Sequence, residues 1–479
     1  MISPQRLKEQ GLLKTIYQLA KKRKLRLYLV GGVLRDIILA RDKENPDIDF
    51  CLKKGAINFG RIVAKEMKAG FVILDKTHGC SRVVKRIKDR IYTLDFTDFR
   101  GNTLEKDLLH RDFTINAFAL DLEKALQDKN LDEFIIDPYQ GIKDLAVKTI
   151  RVVNYKAFDE DPLRILRAFS LAAIFGFSID KETLKLIKLK REKLSRVSPE
   201  RIRDELFKIL DRPNAFENLA QMDKLRILKI IIPEIEIMRN VKQGPYHHLD
   251  VWQHTLETIR QLEILMKEVK NNKTIQDYLN EIISSERRRR ALIKLGALLH
   301  DIGKPTAKRR ENGKTKFHGH ERIGLEISEN IAKRLRLSND ELDSLRKMVF
   351  WHLRPGYLAD NEEITPRATF RYFRDTAQEG VSILLISIAD QRATRGPLTS
   401  RGSRIHHEKV VLDLIKAYFK GQKEKKLPRL ITGDDLIKKF KLQPSPLIGK
   451  ILREIEELQA IGKIKNKKEA LRIAKKFIT

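Results

Sequence analysis

Cysteine and long apolar runs are scarce in this sequence of 479 residues. Its two cysteines, Cys51 and Cys80, are too few for a disulfide framework and are wrongly spaced for a zinc site. No apolar run approaches the roughly 20 residues that span a bilayer, and the opening residues are polar. These absences exclude a disulfide-stabilised secreted protein and a transmembrane protein, and they predict a cytoplasmic protein with no membrane partner.

Positive charge, in contrast, is abundant. Lysine and arginine number 97 against 65 aspartate and glutamate residues, and the resulting formal charge of +32 is spread along the chain. Each phosphate that a cationic side chain neutralises releases condensed counterions, so this excess favours a polyanionic partner. A surface rich in solvated lysines is the alternative. The length predicts roughly two to four domains.

The hydrophobic pattern changes near residue 155. The part before it contains a basic amphipathic helix and a set of short β-type runs, at 6–24 and at 25–30, 48–52, 71–74, 82–87 and 91–96 respectively. After it, apolar residues recur at helical spacing with almost nothing typical of a strand. The pattern predicts an α+β protein in which a small mixed-sheet domain is followed by an all-α remainder.

Two carboxylates, Asp47 and Asp49, lie at alternate positions of one predicted strand. They point to the same face, while Ile48 and Phe50 face the core. Two Mg²⁺ ions about 3.5–4 Å apart on such a face can activate an attacking hydroxyl and stabilise a leaving pyrophosphate. Asp95, in a later strand, is a candidate third catalytic carboxylate. An Asp-x-Asp pattern alone is common, so its surroundings decide the interpretation.

A Gly31-Gly32 pair precedes these carboxylates, between an apolar strand and a helix. A turn of this kind presents backbone N–H groups to a triphosphate. The pair alone is more often an ordinary turn. The combination with Asp47 and Asp49 is far more specific, and it predicts a nucleotide-phosphate site.

Four stretches of the chain resemble the class II tRNA nucleotidyltransferase and bacterial poly(A) polymerase family of the polymerase-β-like superfamily. They are LVGGVLRD at 29–36 with DID at 47–49, RDFTINA at 111–117, EDPLRILR at 160–167 and SPERI at 198–202. They occur in the order typical of the family. The resemblance implies a polymerase-β-like head, a helical neck and body, and addition of nucleotides to RNA 3′ ends without a nucleic-acid template.

Arg111 and Asp112 combine a guanidinium that can bind phosphate with a carboxylate that can accept from ribose hydroxyls. Considered alone, such a pair is more typical of a surface salt bridge. The resemblance assigns Arg111 to the incoming nucleotide, and it extends the nucleotide site to Gly31, Gly32 and Arg35.

Asp161, Arg164 and Arg167 are predicted to share one face of a helix, where they could present acceptor and donor edges to a base. An intrahelical ion pair is the alternative. The resemblance implies that Asp161 and Arg164 act as an amino-acid template for C or A. The chain departs from the family at His110, where a second arginine is common, and at Ser170, where a basic residue is found. These departures bear on the phosphate contacts and not on the reaction.

The segment after the third carboxylate is short. Only RGNT, at 100–103, joins Phe99 to Leu104, where CCA-adding and A-adding members of the family carry a longer flexible loop associated with accepting ATP. Similar deletions mark members that add only two cytidines. The sequence therefore favours CC addition over a short-loop CCA-adding enzyme. The absence of a basic Gly-Arg-Arg-Phe-like stretch at 79–83 disfavours a poly(A) polymerase.

A second constellation lies in the helical part. Its histidines and aspartates follow the order of an HD phosphohydrolase domain, namely His254, His300, Asp301 and Asp390, with His320 and His352 as candidate ligands of a second metal. Such ligands suit a divalent transition metal or Mg²⁺, whose bound water can attack a phosphoester. The resemblance implies hydrolysis of phosphate or 2′,3′-cyclic phosphate ends. An HD phosphohydrolase whose head only binds RNA is an alternative for the whole protein.

Four domains are expected: a nucleotidyltransferase head at 1–150, a neck and body at 151–240, an HD domain at 241–400 and a helical region at 401–479. The lysine-rich faces of the last region could bind tRNA through phosphate and shape, although a solvated face explains them equally well. The expected partners are a tRNA 3′ end, CTP and, depending on specificity, ATP, with two Mg²⁺ ions in the head.

Overall fold

The computed structural model of the protein describes residues 10–41, 45–127, 132–361, 363–423 and 428–478. The chain divides into two compact units. The N-terminal unit comprises residues 1–205 and 225–230, and the C-terminal unit comprises residues 206–224 and 231–479. The mixed α+β fold class expected from the sequence is confirmed. The four domain boundaries stay a prediction.

A mixed sheet of seven strands, in the order β3-β4-β5-β2-β1-β6-β7, forms the centre of the N-terminal unit. The strands are β1 Tyr28–Val30, β2 Asp47–Leu52, β3 Gly70–Asp75, β4 Cys80–Ile87, β5 Arg90–Asp98, β6 Ala119–Asp121 and β7 Ile135–Ile136. The helices of this region are α1 Gln10–Lys21, α2 Gly32–Ile38, α3 Ala56–Met67, α4 Leu104–Leu109, α5 Leu122–Gln127 and α6 Gly141–Ala146.

Alternation along β2 separates the core from the functional face. Ile48 and Phe50 are buried, whereas Asp47 is exposed and Asp49 is half-buried. Phe50 stacks on Phe96 of β5 with ring centroids 5.0 Å apart. Burying such a side chain stabilises the fold by about 1.5–3 kcal/mol. The register of the sheet is therefore fixed by its aromatic core, and the carboxylates are held on the opposite face.

Short helices follow the sheet, together with one small parallel ladder of β8 Thr149–Ile150 and β9 Ser178–Ile179. These helices are α7 Ala157–Glu160, α8 Arg164–Phe175, α9 Lys181–Lys190, α10 Pro199–Leu210, α11 Ala215–Lys224 and α12 Ile227–Ile231. The predicted change to helix near residue 155 is confirmed.

The C-terminal unit is helical apart from two small hairpins, β10 Ile282–Ser284 with β11 Arg287–Arg288 and β12 Arg309–Glu311 with β13 Lys314–Lys316. Its helices are α13 Val251–Glu268, α14 Lys273–Asn280, α15 Arg289–Leu299, α16 Lys304–Ala307, α17 His320–Arg334, α18 Asn339–Trp351, α19 Arg354–Ala359, α20 Pro366–Thr376, α21 Gly380–Ala393, α22 Arg401–Lys423, α23 Gly433–Phe440, α24 Pro446–Ala460 and α25 Lys467–Lys475. Helix α21 packs on α13 and α22, and its apolar residues are buried all round.

The last three helices have a small core of their own. Leu436, Ile451 and Ala470, from α23, α24 and α25, are fully buried in it. Cys51, which is buried, and Cys80, which is half-buried, are both free cysteines. Among the helices described, none is both long and apolar enough to cross a membrane.

Candidate active site and metal centre

Three adjacent strands bring a row of charged side chains together. Asp49 of β2 lies opposite Asp95 of β5 in parallel register, and Asp95 lies opposite Arg82 of β4 in antiparallel register. The Nε and Nη2 of Arg82 each donate to a different oxygen of Asp95, both at 2.8 Å. These bonds raise the pKa of Arg82, and the nearby charges of Asp95, Asp47 and Asp49 raise it further. Arg82 therefore neutralises part of a dense negative field.

The turn at Gly31 touches this row. Its φ of +73° is in the left-handed region, which favours glycine. A Cβ at this position would lie 2.9 Å from Oδ2 of Asp49 and 3.0 Å from Nη1 of Arg111. Only glycine lets the backbone approach both groups this closely. Gly32 then begins α2, which places the N-terminal end of this helix beside the carboxylates.

Arg111 follows α4, which is capped by Thr103 of the short segment. Its Nη2 lies 3.6 Å from Oδ2 of Asp107. Within the described part of the chain, its buried Nε makes no hydrogen bond. An N–H without a partner costs free energy when buried, so this group is suited to an anionic ligand.

Asp112 is part of a buried network behind Arg111. Its Oδ2 accepts from Nε and Nη2 of Arg167 at 2.9 and 2.7 Å, and its Oδ1 accepts from Asn116 at 3.0 Å. Asn116 in turn accepts from Arg35. Burial opposes ionisation of Asp112, but the charge of Arg167 and these hydrogen bonds lower its pKa to about 2. The network ties α2 and α8 to the RDFTINA stretch.

The structure does not place Asp161 on the helix that carries Arg164. Asp161 has extended backbone angles at the end of α7, and α8 begins at Arg164. Pro162 explains the break, because a residue before proline is disfavoured in helical conformation. Asp161 instead bonds Arg201 of α10, whose Nη2 lies 2.7 Å from its Oδ2. The predicted shared helix face is therefore wrong, although the residues remain neighbours.

Arg164 is buried and is held by backbone oxygens. Its Nη2 donates to the carbonyl of His110 at 2.6 Å, and its Nη1 donates to those of Arg111 and Ala157 at 3.3 and 3.2 Å. Burial lowers the pKa of this guanidinium. Its orientation is thus fixed before any ligand arrives.

These groups line one cleft of about 320 Å³. Of the candidate residues named from the sequence, those in the lining are Asp49, Asp95, Arg111, Asp112, Asp161, Arg164 and Arg167. Gly31, Gly32, Arg35 and Asp47 lie outside it. Sequence reasoning gave no role to Arg82, Arg100, Asp107 or Arg201. The sequence did contain clues to two of them. Arg201 lies in the SPERI stretch, and Arg82 lies in a run whose alternation predicts a strand.

The HD residues form two ligand groups in the C-terminal unit. His254, His300 and Asp390 make one, and Asp301, His320 and His352 make the other. Within each group the ligand atoms lie within 4.8 Å of one another. The groups meet at Asp301, whose Oδ2 is 3.2 Å from Nε2 of His300 and whose Oδ1 is 3.4 Å from Nε2 of His320.

Hydrogen bonds to the backbone fix three of these imidazoles. The Nδ1 atoms of His300, His320 and His352 lie 2.7–2.8 Å from the carbonyl oxygens three residues earlier. Each ring therefore donates from Nδ1 and directs an Nε2 lone pair to the centre. The Nε2 atoms of His320 and His352 are only 3.2 Å apart. Two lone pairs at this distance repel, and a cation between them removes the repulsion, so the residues fit a metal.

A pocket adjoins this centre, lined by Asp301, Asp390, His247 and Lys304 among others. Lys304 bonds Gln243 at 2.7 Å and lies 2.6 Å from Asp301. Burial and the charge of Lys304 lower the pKa of His247 to about 4, so this ring is neutral near pH 7. Sequence reasoning missed both His247 and Lys304.

Comparison with known proteins agrees with this geometry. Residues 27–151 match the poly A polymerase head domain, 251–391 match the HD domain and 412–474 match tRNA nucleotidyltransferase domain 2. The multifunctional CCA protein of Legionella pneumophila (strain Lens) is 31% identical over 349 residues, which are 69% of this chain and 75% of that protein. The chain belongs to the tRNA nucleotidyltransferase family.

It is a nucleotidyltransferase, as the sequence predicts. The A-adding enzyme of Deinococcus radiodurans is 28% identical over 92% of this chain and 93% of its own length. The CC-adding enzyme of Synechocystis is 27% identical over 94% and 93%. The CCA-adding enzyme of Thermotoga maritima, solved in complex with tRNA, has the same fold, with a TM-score of 0.63, 22% identity and coverage of 98% and 95%.

Proposed function

We propose that this protein adds the two cytidines of the CCA end to tRNA, using CTP and no nucleic-acid template. The observation that carries the proposal is the cleft lined by Asp49, Arg111, Asp161 and Arg164, with the Gly31 turn held against Asp49 and Arg111. Relatives with A-adding and CC-adding specificity are equally similar to the chain. The short segment at 100–103 supports CC addition. We place the reaction in the cytoplasm.

Asp47, Asp49 and Asp95 would hold Mg²⁺ in the head. Carboxylate oxygens are the ligands that Mg²⁺ prefers. When bound, the two ions lower the pKa of the attacking hydroxyl and neutralise charge on the leaving pyrophosphate. Each oxygen of Asp95 accepts one bond from Arg82 and keeps a further lone pair for Mg²⁺, so Arg82 orients this carboxylate for the role.

Phosphate binding comes from the turn and from Arg111. Gly31 lies against Asp49 and Arg111, so the start of α2 is close to them, and a helix N-terminus favours negative charge. The buried Nε of Arg111 supplies a further donor. These groups position the α-phosphate close to the terminal hydroxyl of the RNA, and this positioning accounts for much of the catalysis in phosphoryl transfer.

Selection of cytosine is assigned to Asp161 and Arg164. An Asp161 carboxylate oxygen can accept from the exocyclic amine of cytosine, and a guanidinium can donate to its ring nitrogen and carbonyl. Arg201 holds Asp161, and the carbonyls around Arg164 fix that side chain. Because Asp161 and Arg164 are both oriented before the base binds, a base with a different pattern of donors and acceptors leaves their hydrogen-bonding groups without partners.

Transfer is tested with a tRNA transcript that ends at the discriminator base, incubated with labelled CTP and Mg²⁺. We expect two cytidines to be added by the wild type and none by Asp49→Asn. Asp89→Asn, at an exposed turn of the same sheet, is the matched control and should retain full activity. Cytidine addition by Asp49→Asn would refute the assigned site.

A second activity, hydrolysis of phosphate or 2′,3′-cyclic phosphate ends, is proposed for the HD centre. It is supported by the two ligand groups that meet at Asp301 and by the Lys304 beside them. A divalent transition metal or Mg²⁺ bound there would supply a nucleophilic hydroxide. Hydrolysis of 2′,3′-cyclic CMP should be lost in Asp301→Asn and kept in Asp49→Asn. Loss in both variants would contradict separate sites.

A further inference from the structure

A cationic cavity of about 220 Å³ lies at the opposite ends of two helices that carry HD ligands. We call it the Arg290 pocket. Its five cations are Arg212, Lys267, Lys270, Arg290 and Lys294, of which the last two lie on α15. Asp211 and Glu263 are its two carboxylates. The lining therefore carries an excess of positive charge that the fold itself does not neutralise.

The pairing within the pocket shows this excess directly. Asp211 is shared by three guanidiniums, those of Arg288, Arg212 and Arg290, at 3.3, 3.8 and 4.0 Å. Glu263 is already bonded to Lys294 at 2.7 Å. Lys267 and Lys270 make no ion pair within the described part of the chain. Among the described residues, Oδ2 of Asp211 accepts a hydrogen bond from Arg288 and its Oδ1 accepts none, so Arg212 and Arg290 keep donors that an additional anion could engage.

Two donors in the pocket are buried without an acceptor. They are Nε of Arg212 and Nε of Arg290, neither of which makes a hydrogen bond among the described residues. Lys294 is almost fully buried and donates to Glu263 and to the carbonyl of Arg212, which leaves one of its three protons. Buried donors of this kind each cost free energy unless a ligand supplies an acceptor.

The sequence places Arg290 in an unfavourable position. It ends a run of four arginines, 287–290, at the N-terminal end of α15, where the helix dipole disfavours cations. Arg287 is bonded to Glu341, and Arg289 to Glu281 and Glu379. Packing accounts for these two arginines, whereas Arg290 has no comparable carboxylate. A bound anion would offset the cost at this position.

We propose that the Arg290 pocket binds the phosphate group of a small phosphomonoester. Pro213, Met266 and Leu279 give it an apolar wall for the organic part. Its volume is below the roughly 300–1,000 Å³ of pockets for drug-sized ligands, which favours a small occupant. Lys294 precedes His300 by six residues, about 9 Å along the helix axis. The pocket is thus separate from the HD metal ligands, and the proposal does not depend on transfer activity.

Lysine footprinting of the full-length protein tests this proposal. The protein is acetylated briefly with or without inorganic phosphate or 5′-CMP, and modification of each lysine is read by mass spectrometry. We expect both ligands to slow modification of Lys267 and Lys270, by about tenfold when the ligand is at ten times its Kd. Lys420, exposed on α22, is the internal reference and should be unaffected.

Variants show whether the pocket causes the protection. Arg290→Gln should abolish it, and Arg453→Gln, which changes an exposed arginine on α24, should keep it. Lys270→Gln should weaken protection at Lys267. This second variant tests the pocket independently if Arg290→Gln does not fold. Absence of protection in the wild type, or equal protection in Arg290→Gln, would overturn the proposal. Protection by a tRNA transcript but by neither small ligand would also overturn it and would indicate the RNA backbone instead.

Discussion

Arg82 and Asp95 face each other across adjacent antiparallel strands, and two guanidinium nitrogens bond the two carboxylate oxygens at 2.8 Å. Asp95 also lies opposite Asp49. The pair therefore connects the carboxylate row to a cation on the same face of the sheet. Arg82 limits the repulsion between Asp49 and Asp95, and its two hydrogen bonds orient Asp95.

Replacement of Arg82 should weaken transfer through the metal site. We expect Arg82→Gln to lower the apparent Mg²⁺ affinity or activity by about 10–100-fold, the usual cost of losing a residue that orients a metal ligand. The measurement is the rate of CTP incorporation against Mg²⁺ concentration. Arg86→Gln, on the exposed part of the same strand, should behave as the wild type. An unchanged Mg²⁺ dependence in Arg82→Gln would show that Arg82 has no part in the site.

Asp112 should make stability depend on pH in the acid range. Its pKa of about 2 in the folded protein is below its value in the unfolded chain, about 3.9. The stabilisation, about 2.6 kcal/mol, is therefore complete above pH 5 and is lost as the pH falls through 2. The free energy of unfolding of Asp112→Asn should be lower than that of the wild type at pH 6, and this difference should shrink toward pH 2.

Urea unfolding followed by far-ultraviolet circular dichroism measures this difference. Asp89→Asn, at an exposed turn, should follow the wild type at every pH. A difference between Asp112→Asn and the wild type that stays constant from pH 6 to pH 2 would contradict the role of the Asp112–Arg167 pair.

Base selection should depend on Asp161 more than on Arg201. Asp161→Asn replaces a carboxylate, which only accepts, with an amide that can also donate. The variant should therefore use UTP, whose base has a carbonyl where cytosine has an amine. The ratio of kcat/KM for CTP to that for UTP should fall by about 10–100-fold, which corresponds to roughly 1–3 kcal/mol for one buried hydrogen bond. Arg201→Gln should cause a smaller fall, because it only positions Asp161. Glu182→Gln, exposed on α9, serves as control. Unchanged selectivity in Asp161→Asn would refute the assignment.

The HD centre should lose metal in steps. His352→Gln removes one ligand of the second group and leaves His254, His300 and Asp390 intact, so it should bind fewer metal ions per chain than the wild type. Asp301→Asn, at the junction of both groups, should bind the fewest. Elemental analysis after dialysis measures this. His318→Gln, exposed near α17, should keep the wild-type content. Equal metal content in all variants would contradict the assigned ligands.

Strand periodicity predicted the sheet well because each strand has one buried face. The predicted runs at 48–52, 71–74, 82–87 and 91–96 all lie within strands of the structure. Strands β6 and β7, of three and two residues, are too short to show alternation. The predicted strand at 25–30 begins only at Tyr28, and residues 6–9 of the predicted first helix lie outside the described residues.

The candidate site was predictable where chemistry is encoded by neighbours in sequence, as at Asp47 with Asp49. Partners distant in sequence were not predictable. Strand register pairs Arg82 with Asp95. Arg201 of α10 bonds Asp161, which lies 40 residues earlier at the end of α7. Arg35 was expected at the nucleotide, but it bonds Asp36 and Asn116 and packs on Phe175 with 4.5 Å between its guanidinium and the ring. Its direct contact with a nucleotide stays a prediction.

Single-nucleotide incorporation distinguishes addition of two cytidines from addition of the complete CCA end. A tRNA transcript that already ends in two cytidines is incubated with the wild type and labelled ATP, beside the transcript that ends at the discriminator base with labelled CTP. We expect two cytidines on the second transcript and no adenosine on the first, because RGNT at 100–103 stands in place of the longer loop. Incorporation of adenosine onto the first transcript would contradict CC addition.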